Sequence, residues 1–118
     1  MLNKFICAPH RQAMLDDLNM AKRCCHIALE TGLNLKVIGQ NKEALSHLGC
    51  AFESSEIALS SGEIQSFDML GAFVSSSCAL LQCLRILGYS DQAAPLLEMT
   101  LDRLEHEKIK VPEQAGII

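Results

Sequence analysis

The stretch MLGAFVSSSCALLQCL, residues 69–84, decides the fold. It runs sixteen residues without a charge, between Asp68 and Arg85. A membrane span needs about twenty predominantly apolar residues, and this one also holds Gly71, Gln82 and the serines 75 to 77. The segment reads instead as a helix over about 64–87, apolar around most of its circumference and therefore covered on several sides by other elements. Gly88 stops it.

On its N-terminal side the spacing predicts a helix over about 41–61, in which Ala44, Leu48, Ala51, Ser55 and Ala58 recur in steps of four and three. Leu45, Phe52 and Leu59 lie beside that row, and Ser61-Gly62 ends it. Further upstream, Met14, Leu18, Ala21, Cys25 and Ala28 repeat the same steps and predict one helix over about 11–31, opened by Pro9 and ended at Gly32. Residues 33–40 (LNLKVIGQ) stay ambiguous between loop and helix, with Asn34 and Asn41 as alternative caps. On the C-terminal side Ser90 is the expected N-cap of a helix over about 91–107, with Asp91 at the positive end of its dipole. Pro95 sits awkwardly early in that helix, which must begin later or bend. The tail, 109–118, contains Pro112 and Gly116 and is expected to be irregular.

The expected fold is all-α, a four-helix bundle or a short stack of antiparallel α-hairpins without a sheet, forming a single domain over 1–118. Composition agrees. Apolar residues make up 49% and aromatics only 4%, so Leu, Ile, Ala, Met and Cys must fill the core, and the enrichment that strands need is missing. An internal similarity reinforces the helical reading. Shifting the chain by thirty residues sets 12–32 on 42–62 with seven of twenty-one positions identical, Gly32 on Gly62 among them.

Charge and chemistry narrow the function by exclusion. The net charge is −4 and no basic run exceeds Lys22-Arg23, which speaks against nucleic acid, where affinity comes from clustered cations. The six cysteines mostly lie in aliphatic helical patterns and read as free thiols of a reducing, cytoplasmic compartment. No C-x-x-C occurs, and His47 with Cys50 gives too few ligands, so no metal is expected. No phosphate loop exists, and no cofactor is expected. Cys24 beside Arg23 is the nearest approach to an activated thiol. His47-Leu48-Gly49-Cys50 is the nearest approach to a phosphotransfer histidine, without the lysine that follows one, and it supplies the alternative reading of a small signalling domain.

The stretch LLQCLRILGYSDQAAPLLEMTLDRL, residues 80–104, resembles the middle of a tetratricopeptide repeat: Leu80, Leu84, Gly88, Ala93 and Leu97 fall at matching offsets, while Thr100 stands where a small residue is usual and Pro95 is foreign. Leu48-Gly49 with Phe52 resembles the first helix of such a repeat. The resemblance covers about a quarter of the chain, and it implies a stack of α-hairpins that binds protein. The leading expectation is a non-enzymatic interaction module, an adaptor or a small chaperone of the secretion type, taking a partner helix or peptide or a second copy of itself. Leu45, Phe52, Leu97 and Leu101 are the candidate contact residues.

Overall fold

In the computed structural model, which describes residues 5–60 and 67–110, five helices follow one another: α1 (Ala8–Asp16), α2 (Leu18–Val37), α3 (Asn41–Ser60), α4 (Phe67–Ile86) and α5 (Ser90–Lys110). No strand occurs among the described residues. The all-α expectation holds.

The single helix expected over 11–31 is in fact two. Asp17 leaves helical geometry (φ −139°, ψ 94°), and its carboxylate accepts the N–H groups of Asn19 and Met20, capping α2 where the apolar spacing runs straight through. Gly32 is not a stop either. It lies inside α2 against α3, where a methyl group in place of its hydrogen would stand 2.7 Å from Leu48 Cγ and Cδ2. The ambiguous 33–40 segment is helical to Val37 and then turns. Gly39 takes φ 84°, its N–H bonds the Lys36 carbonyl, and the Gln40 N–H reaches back to the Leu35 carbonyl at 2.8 Å. Gly88 repeats this at the end of α4 with φ 85°, through Gly88 N–H to the Arg85 carbonyl and Tyr89 N–H to the Leu84 carbonyl at 2.7 Å. Both are glycine-terminated Schellman stops, needed because an L side chain resists that backbone conformation.

Ser90 is the first residue of α5 and not its cap; the Tyr89 carbonyl accepts from Gln92 N–H one residue earlier. The helix neither starts late nor stops at Pro95, whose ring is exposed, and it continues to Lys110, past the expected end at 107. The expected ends at Ser61-Gly62, the start at 64 and the tail beyond 110 lie outside the described residues.

Sequence neighbours pack together. The three-residue turn at 38–40 folds α3 back along α2, and Asn41 Oδ1 lies 3.8 Å from Cys83 Sγ, so the start of α3 meets the end of α4 and those two helices also run antiparallel. Both glycine turns therefore share one end of the molecule. Helix α3 is the centre, enclosed by α1, α2 and α4, and Phe52 stacks on Phe73 of α4 with ring centroids 5.2 Å apart. Much of α4 is buried as expected, with Met69, Phe73, Leu80, Cys83 and Leu84 in the core. Asp68–Ile86 is long and apolar enough to cross a membrane, by length and composition, and half of it is buried within the fold. Its interior hydroxyls need no water: Ser76 and Ser77 donate to the Phe73 carbonyl, as Ser55 does to that of Phe52 and Thr100 to that of Leu96.

Candidate functional site

Two surfaces stand out. The first is the outer face of α5. This helix sends Ala93, Leu96 and Thr100 into α4, yet Leu97 and Leu101, one turn apart, point outward and stay 40% and 56% exposed. Its tie to α3 is the Arg103 guanidinium, which donates to Ser60 Oγ at 2.8 Å and lies 3.9 Å from Glu56 and 3.6 Å from Glu107.

The meaning of that face comes from a correspondence that the structure makes visible. The two Schellman turns are forty-nine residues apart, and LKVIGQNKEA (35–44) aligns on LRILGYSDQA (84–93) with Leu, Gly and Ala identical at matching places and Lys/Arg, Val/Ile and Ile/Leu exchanged like for like. Under this shift Leu48 and Phe52 correspond to Leu97 and Leu101. The first pair is enclosed, at 0% and 1% exposure: Leu48 lies against Gly32 of α2, and Phe52 against Phe73 of α4. The second pair is 40% and 56% exposed, and α5 turns Leu96 inward where the matching His47 of α3 is exposed. The Phe52 place is thus covered in one hairpin and half-open in the next. The thirty-residue slip had concealed this, since it pairs Gly32, a packing glycine, with a presumed stop.

Of the four candidate contact residues, the structure brings Leu97 and Leu101 together at the surface. Phe52 is corrected as a surface residue: its ring belongs to the core, at 1% exposure. Leu45 is half-buried against the core. His47 is exposed on α3. The expectation that the cysteines are mostly interior needs amending, because Cys25 and Cys83 are buried, Cys24 and Cys50 half-buried, and Cys7 and Cys78 exposed; all six are free. Among the described residues no group of three His, Cys, Asp or Glu side chains gathers to hold a metal.

The second surface escaped sequence reasoning. Residues Phe5 and Ile6 form a strap over α3. Their backbone N–H groups each donate at 3.1 Å to Glu53, whose side chain is 1% exposed, and Arg11 stands 3.8 Å from the same carboxylate. The Phe5 ring rests directly on Gly49, where a side chain would have no room. Burial pushes the Glu53 carboxyl above its usual range; the two N–H bonds and Arg11 oppose that shift, and Glu56 adds to it. Beside the strap a cleft of about 440 Å³ opens, with Met99 of α5 on its far wall. The signal in the sequence was a charged residue and a glycine set in the interior of an otherwise small and apolar helix, Gly49-Cys50-Ala51-Phe52-Glu53-Ser54-Ser55.

Comparison with known protein families, with curated proteins and with solved structures finds no match for this chain.

Proposed function

We propose that this chain is a helical protein-interaction module, an adaptor or small chaperone, that seats one apolar helix of a partner on the outer face of α5. The observation that carries the reading is the unequal exposure of matching positions: Phe52 is covered by Phe73 of the next helix, while Leu101, its counterpart, is 56% exposed. The partner's chemistry follows from what α4 supplies to α3. It is a helix with large apolar side chains at i, i+3 and i+4, laid antiparallel on α5. Glu98, Asp102 and Glu105 lie exposed on the same helix and favour a partner helix flanked by Lys or Arg. A secretion-type chaperone, which keeps such a helix covered until release, falls within this class.

The test places a photo-reactive residue at position 101, and a control at 94, in the native cell; the captured partner is then purified and titrated back. Leu97→Glu with Leu101→Glu is expected to weaken binding by about a hundredfold or more, as for central apolar anchors, while helical content and melting temperature stay near wild type. Undiminished binding by the double variant sinks the proposal.

A further inference from the structure

The strap and α1 form a unit that packs against both α2 and α3, has its hydrogen bonds on α3, and is joined to α2 by one residue. Phe5 sits on Gly49, the Phe5 and Ile6 N–H groups bind Glu53, and fully buried Met14 accepts a contact from Ser54 Oγ at 3.6 Å. After Asp16 only Asp17 is non-helical before α2 begins. The apolar row Met14, Leu18, Ala21, Cys25, Ala28 nevertheless keeps helical spacing across that residue. The sequence on both sides is thus patterned for one helix, and the break is maintained by the Asp17 cap and the seat on α3.

From this geometry we infer that two copies of the chain exchange residues 5–16, each strap occupying the Gly49–Glu53 seat of the other. Turning Asp17 into helical geometry joins α1 and α2 into one helix from Ala8 to Val37, about 45 Å long at 1.5 Å per residue. The joined helix carries the strap away from its own seat and leaves the Glu53 carboxylate without its two donors, so an opened single chain is unfavourable. A second opened copy restores each of those contacts, because strap and seat are the same in every chain. Two closed monomers and one exchanged dimer then differ mainly at the two hinges, where the cap bonds to Asn19 and Met20 are traded for continuous helix, and in the entropy of association. The occupant is accordingly a second copy, and its chemistry is the one already seated: an aromatic ring for a glycine cradle and two successive N–H donors for a buried carboxylate.

Light scattering on the full chain across a concentration series tests this. Asp17→Ala removes the cap at both hinges and is expected to raise the dimerisation constant by about thirtyfold. A photo-reactive residue at position 5 of that dimer is expected to crosslink to the 49–53 segment of the other chain, whereas adding Leu97→Glu and Leu101→Glu leaves the dimer intact. A dimer without that crosslink between chains, or one lost with the α5 substitutions, overturns the exchange, as does Asp17→Ala that stays monomeric throughout. Where Asp17→Ala does not fold, wild type is compared with Leu18→Pro. Proline suits the first turn of the broken form, follows an extended residue, and is excluded from the interior of the joined helix. A wild-type dimer that Leu18→Pro abolishes supports the proposal, and equal behaviour of the two chains overturns it.

Discussion

Among the described residues Glu53 is the most deeply buried carboxylate, and its surroundings give it a definite dependence on pH. The groups facing it are the N–H donors of Phe5 and Ile6, the Arg11 guanidinium and the Glu56 carboxylate. Since burial outweighs the donors and raises its pKa above the unfolded value of 4.5, the folded chain binds this proton more tightly than the unfolded chain does. The associated stability is complete below the unfolded value and is lost as pH rises through the raised folded value. Urea unfolding should therefore show wild type gaining on Glu53→Gln as the pH is lowered towards 4.5. A constant difference between the two, or one that shrinks on acidification, contradicts the assignment. Gly32 makes a second residue-scale case. On helix propensity alone Gly32→Ala adds about 1 kcal/mol of stability. The new methyl group, however, meets Leu48, a side chain at 0% exposure with nowhere to swing and a backbone nitrogen only 3.2 Å away. The expected net result is a loss of about 1–2 kcal/mol, read from the denaturant midpoint, and a gain contradicts the close approach. The thiols also differ by place: burial pushes Cys25 up to about 12 and raises Cys50 and Cys83 above the ordinary thiol range.

Among the helices, α3 and α4 were legible in the sequence because their apolar spacing and their packing agree. The start of α3 at Asn41 and the end of α4 just before Gly88 come out as read. Helices α1 and α2 were misread for two physical reasons. Apolar periodicity reports which face is buried and is indifferent to a one-residue break, so Asp17 was invisible to it; and glycine signals both a left-handed stop and a close helix approach, which only the neighbour at Leu48 distinguishes. At α5, Pro95 suggested a late start or a bent first turn, and the late start is excluded: the helix begins at Ser90 with the proline on its solvent side, where the missing donor disturbs no neighbour. Of the candidate contact residues, the sequence could offer apolar positions but not their exposure. Leu97 and Leu101 could be picked as apolar residues on an amphipathic helix, but Phe52 could not be separated from them without knowing that α4 lies over it. Of the strap seat, Gly49 and Glu53 mark an unusual place in α3, but what fills it was illegible, because the partners lie forty-seven and forty-eight positions away and bind through backbone donors, which leave no side-chain pattern.

At the scale of the molecule, helices that are consecutive in the chain are also neighbours in space, which keeps the contacts local and suits rapid folding. The hairpin correspondence of forty-nine residues gives the stack a direction. At one side α1 and the strap lie across α2 and α3; at the other, α5 has no helix beyond it among the described residues. On the proposed reading, a helix arriving at α5 packs on an outer face that no helix covers among the described residues. Titration of a partner helix should accordingly saturate at one per chain, with sedimentation showing a bounded complex that does not lengthen as either component is added in excess.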